Sequence, residues 1–149
     1  MKRLVLIFTA IIAFATLLSS CAEDTVKLSK DLDGTWVASS FTANGIEQIG
    51  LDLFFAKITG LEITFADEGE GAGTIKQTLT VEALGFPTSE SASGTYQVVG
   101  DNNETLRMTY VTDSTTDVSE GPFTIDGSEL MLSYNEGDSI DYVIKATKQ

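Results

Sequence analysis

From Leu32 onward, apolar and polar residues alternate in short runs, and Gly- and Asp-rich turns separate the runs. Successive side chains of a strand point to opposite faces, so alternation with period two predicts half-buried strands. Leu61, Ile63 and Phe65 share one face with Glu62 and Thr64 opposite, which predicts a strand over 61–66. Ile75, Leu79 and Val81 against Lys76, Thr78 and Thr80 predict another over 73–81. Leu106, Met108 and Tyr110 against Arg107 and Thr109 predict 105–112, and Ile140, Tyr142 and Ile144 against Asp141, Val143 and Lys145 predict 139–147. The same pattern places strands over 34–42, 93–99, 118–125 and 129–134, eight in all; Gly121-Pro122 marks an edge or bulge in the sixth.

The connections predict antiparallel pairing. Asp126-Gly127 is a tight-hairpin dipeptide, and 100–103, 135–138 and 67–71 are short runs of turn formers. No room is left for the crossover helices that parallel strands need. The expected fold is all-β: an antiparallel up-and-down eight-stranded barrel, with a β-sandwich as the alternative. One connection is long. Within it, Leu51, Phe54, Phe55 and Ile58 fall at helical spacing, predicting a short amphipathic helix that plugs one barrel end or lies over a cavity mouth as a lid.

The N-terminus follows a different rule. Met1-Lys2-Arg3 precedes an uncharged run from Leu4 to Leu18, too short to span a bilayer and fitting a secretory signal peptide. Leu18-Ser19-Ser20-Cys21 resembles the lipobox of bacterial lipoproteins, and Cys21 is the only cysteine. The alternative is an ordinary signal peptide with an incidental cysteine. The resemblance implies cleavage before Cys21 and attachment of palmitate-type acyl chains there. Several chains together anchor a protein stably. Ala22 in place of Asp implies the outer membrane of the cell envelope, and Glu23-Asp24 is similar to the surface-export signal of Bacteroidetes lipoproteins. The organisation expected is a signal peptide over 1–20, a lipidated polar tether over 21–31 and one domain over 32–149.

Gly34-Thr35-Trp36, at the head of the first predicted strand, resembles the Gly-x-Trp motif of the lipocalins, in the short form common in Bacteroidetes lipoproteins. A long first loop followed by seven strands joined by hairpins extends the resemblance over most of 32–148. It implies that Trp36 packs at the closed barrel end beneath a basic residue of the last strand, Lys145 or Lys148.

Charge and composition then narrow the function. The chain carries a net charge of −13, about −15 without Lys2 and Arg3, and this excludes a nucleic-acid partner. It has no histidine, which removes His-dependent triads and His-ligated metals. Most acids fall in turns, and Asp67-Glu68-Gly69-Glu70 lacks the spacing of an EF-hand loop. No catalytic residue, cofactor or metal site is expected, so the chain reads as a binding protein and not an enzyme. A small apolar or amphipathic ligand inside the barrel would meet Phe65, Tyr96, Met108, Tyr110 and Tyr142, with Phe54 and Phe55 from the long loop and Gln77 holding a polar head. The alternative is a solid barrel whose outer surface contacts a protein or glycan.

Overall fold

The computed structural model describes residues 24–53, 55–100, 104–111, 115–136 and 140–149. The expected signal peptide, the expected lipidation site Cys21 and Phe54 lie outside them. The described chain holds a helix, α1, over 24–32. After it come β1 (Gly34–Ala43), β2 (Ile46–Glu47), β3 (Asp52–Leu53), β4 (Ala56–Gly69), β5 (Ala72–Ala83), β6 (Phe86–Val99), β7 (Thr105–Val111), β8 (Thr116–Asp126), β9 (Glu129–Glu136) and β10 (Ile140–Lys148).

The eight long strands form a closed antiparallel barrel. Closure comes from β1, which pairs with β10 through Trp36↔Lys148 to Ala43↔Tyr142 and with β4 through Gly34↔Phe65 to Val37↔Glu62. A sandwich would leave those edges open. The up-and-down barrel expected from the alternation is therefore the observed fold. Its strands are longer than the periodicity alone delimits, because β5 and β6 continue past their alternating segments to meet at Leu84-Gly85, both at positive φ.

Two expectations are corrected. The segment 46–58 contains no helix among its described residues. Asn44 and Gly45, both at positive φ, turn β2 back onto β1, and Gly50, at φ 85, interrupts the chain before β3. The Glu47 carboxylate accepts from Ser40 Oγ at 2.5 Å and from the amides of Phe41 and Ile49, fixing this fold-back. Local turn chemistry has overridden the helical spacing of Leu51, Phe55 and Ile58. Conversely, the described part of the expected polar tether, 24–31, is helical. Thr25, Leu28, Ser29 and Leu32 fall at i, i+3, i+4 and i+7, and Ser29 and Leu32 are fully buried against the barrel.

Gly121 does not lie at a sheet edge. β8 pairs with β7 over Thr116–Pro122 and with β9 over Phe123–Asp126, so the strand changes partner there. A Cβ on Gly121 would stand 1.8 Å from the carbonyl oxygen of Ser133. The close approach bends the wall and closes the barrel corner. Gly73 and Gly94 meet the backbones of β4 and β7 in the same way.

Candidate functional site: a barrel packed at one end and hollow at the other

The two ends of the barrel differ. At the closed end, Trp36 is fully buried and donates its indole N–H to the carbonyl of Leu32 at 2.7 Å. Lys148 lies over the ring, with Nζ 5.3 Å from its centroid, and donates to the carbonyl of Asp31 at 3.0 Å. A cation there also suits the C-terminal end of α1. Of the two candidate lysines, Lys148 occupies this position. Gly34, at φ 116, leaves room for it: a Cβ would stand 3.1 Å from Lys148 Cε. On the other side of α1, Ser29 Oγ bonds to Asp67 and lies 2.9 Å from Tyr96 Oη. Asp67 also accepts from the amide of Gly69, so this acid serves structure. Burial raises the Tyr96 hydroxyl above its ordinary value, against the lowering effect of the Ser29 hydrogen bond.

Above this end lies a packed layer. Ile63, Phe65, Ile75, Leu106, Met108, Leu130, Leu132 and Ile144 are all essentially inaccessible. Phe65 and Tyr96 form a T-shaped pair with ring centroids 5.2 Å apart.

The open half is different. A cavity of about 280 Å3 lies between β1, β4, β5, β6 and β9, lined by Phe41, Leu61, Gln77, Leu79, Glu90, Ser91, Ala92 and Tyr134. Ser91 apart, which pairs with Thr78 on the other face, the strands aim these side chains inward by parity: Leu61↔Leu79, Ile63↔Gln77, Gln77↔Ala92 and Leu79↔Glu90 are register pairs. A bulge between Ala38 and Ser40 restores Phe41 to the inward face. Phe41 stacks on Tyr142 at 5.6 Å, and Tyr142 meets Tyr134 at 5.2 Å, so an aromatic wall flanks the cavity. Burial pushes the Tyr110 hydroxyl well above its ordinary value, and the neighbouring Tyr134 phenol adds to the shift.

The residues predicted from sequence are divided by this architecture. Gln77 lines the cavity, and Tyr142 stacks against its lining. Tyr110 faces inward with its hydroxyl 4.0 Å from Met108 Sδ. Phe65, Tyr96 and Met108 belong to the packed half, and Gly34 and Trp36 to the closed end. Phe55 is 76% exposed and stands on the rim, where its carbonyl accepts from the amide of Leu84. Leu84 (77%) and Phe86 (75%) are exposed beside it. Sequence reasoning missed Phe41, Leu61, Leu79, Glu90, Ser91, Ala92 and Tyr134 as cavity residues. Their inward parity was legible for Leu79, which the alternation of β5 places on the face of Ile75. Among the described residues no group of three or more acids, cysteines or histidines is placed to hold a metal ion, and no helix is long and apolar enough to cross a membrane.

Comparison with family models and with curated proteins finds no match. Among solved structures, a redesigned beta barrel is similar at TM-score 0.54 and 16% identity, over 81% of this chain and 94% of that one. A fatty acid binding protein of Schistosoma mansoni in complex with arachidonic acid aligns at TM-score 0.36 and 14% identity, over 80% and 96% of the two chains. Fatty-acid-binding protein 1 of Echinococcus granulosus aligns at TM-score 0.39 and 14% identity, over 80% and 98%. At 16% identity the likeness to the redesigned barrel shows the fold alone, in keeping with the closed antiparallel barrel of the strand pairings.

Proposed function

We propose that this chain is a lipid-anchored binding protein that holds one small apolar or amphipathic molecule in the open half of its barrel. The cavity carries this reading. It lies just below the 300–1,000 Å3 common for ligand pockets, and it pairs apolar and aromatic walls with the polar groups Gln77 and Glu90. The packed half beneath acts as a floor, so a ligand enters only as deep as Leu61 and Gln77. Gln77, between apolar neighbours, is the group that orients a head carrying a donor or acceptor. The reading assigns binding and not catalysis.

The anchor reading rests on Leu18-Ser19-Ser20-Cys21. Thr25 sits at the closed end, where its methyl would lie 2.1 Å from a Cβ on Gly71. Four residues of extended chain span about 14 Å at most. A lipid on Cys21 therefore holds the closed end near the bilayer, and the mouth opens away from it. Metabolic labelling with a palmitate analogue tests the anchor: label on the native chain and none on Cys21→Ala supports it, and persistent label on the variant contradicts it.

The cavity is tested by titrating the neutral, environment-sensitive dye Nile red into the full chain and its Leu79→Trp variant. Saturable binding that the larger side chain abolishes supports the reading. No saturable binding, or binding indifferent to Leu79→Trp, rejects it. A second reading draws on the rim, where Phe55, Leu84 and Phe86 are exposed together: the barrel mouth contacts a partner protein. Retained partner capture in a Leu84→Asp/Phe86→Asp variant would remove that alternative.

A further inference from the structure

We infer that the cavity takes an amphiphile whose head group is uncharged or cationic, and discriminates against a free carboxylate. This rests on the binding reading above. Among the described residues the cavity lining holds one carboxylate, Glu90, and no Lys or Arg. Glu90 lines the cavity itself, whereas Asp117 is exposed on β8, at register with Tyr110 and outside the lining. Of the nine Lys and Arg residues, Lys2 and Arg3 precede the described chain, and the other seven stand away from the cavity. Lys27 and Lys30 are on α1, and Lys148 covers Trp36 at the closed end. Lys76 and Lys145 are exposed on outward positions, and Arg107 is paired with Glu120 at 2.7 Å. Lys57 is exposed near the rim, at register with Asp52 on one side and Glu82 on the other.

A carboxylate entering this mouth would give up hydration with no counter-charge to replace it, and would approach Glu90. The chain's net charge of −13 opposes it further. A hydroxyl or amide head finds both a donor and an acceptor in Gln77. An ammonium head finds the Glu90 carboxylate and the rings of Phe41 and Tyr134 in the cavity wall.

Bound Nile red on the full chain is displaced by three probes that share a twelve-carbon tail, each below its aggregation threshold: dodecyltrimethylammonium, 1-dodecanol and laurate. At neutral pH the first two should displace it at concentrations about tenfold or more below laurate. The ratio should shrink in Glu90→Gln and shrink further or invert in Glu90→Lys. Laurate displacing as well as the others from the native chain, or an unchanged ratio in Glu90→Lys, overturns the head-group assignment while the cavity reading stands. Absence of saturable Nile red binding, or binding that survives Leu79→Trp, overturns both.

Discussion

The Lys148 ammonium lies 5.3 Å from the centroid of the Trp36 ring and bonds to the Asp31 carbonyl at 3.0 Å. One side chain thus joins the last strand, the first strand and the end of α1. Trp36→Ala should cost about 3–5 kcal/mol, since it empties the packed end of the barrel. Lys148→Met should cost only about 0.5–1 kcal/mol, as a partly exposed cation over an aromatic face contributes little more. Chemical denaturation followed by Trp36 emission, blue-shifted in the folded state, measures the lysine variant, and far-ultraviolet circular dichroism measures Trp36→Ala. An unchanged midpoint in Trp36→Ala would remove the tryptophan from the barrel base.

Ser29 and Tyr96 couple the helix to the barrel. Their oxygens are 2.9 Å apart, and both residues are buried. Ser29→Ala strands the tyrosine hydroxyl and should cost about 1–3 kcal/mol. In a double-mutant cycle, adding Tyr96→Phe should restore part of that loss, because the stranded hydroxyl is then removed, while the Ser29–Asp67 bond is lost in both backgrounds. Strict additivity would mean that α1 is not docked through this pair.

Gly121→Ala should be among the most damaging single-methyl additions in the chain. Its Cβ would collide with backbone at 1.8 Å, and a strand backbone cannot yield as a flexible side chain does. A loss of about 3 kcal/mol or more is expected, at the upper end for overpacking. Gly60→Ala is the control: its nearest neighbour would be Thr80 Cβ at 4.0 Å. Melting temperatures of the two variants compare them directly.

Stability should hold through neutral pH and fall above about pH 10. Tyr110 has its hydroxyl raised by burial, so the folded state keeps the proton after the unfolded chain, near 10.0, has lost it. The folded state's advantage is complete below the unfolded value and is lost as pH climbs toward the folded one. Tyr110→Phe should flatten this alkaline decline, as read from denaturation midpoints between about pH 8 and 11. An equally steep decline in the variant would place the cause elsewhere.

The barrel was legible because its signal is local: period-two alternation in β4, β5, β7 and β10, with turn formers between them. Helix α1 was hidden because Thr25 and Ser29 hold two of its four inward positions and read as polar, although Ser29 is buried by a hydrogen bond to Tyr96. The helix expected over Leu51–Ile58 had the right spacing, but the turns at Asn44-Gly45 and Gly50 and the Glu47 bonds carried more weight. The division of the interior into packed and hollow halves was not legible at all. Met108 and Tyr110 look alike in sequence, both inward on one strand. Barrel geometry and the bulge beside Phe41, not residue type, decide where the cavity lies.

The hollow open half is tested most directly by titrating the neutral amphiphile 1-decanol into the isotopically labelled chain and tracking amide chemical shifts. Saturable shifts are predicted at Phe41, Gln77, Leu79, Glu90, Ala92 and Tyr134, with Leu106, Leu132 and Ile144 in the packed half unmoved. Shifts that never saturate, or that spread evenly over both halves, would contradict the account.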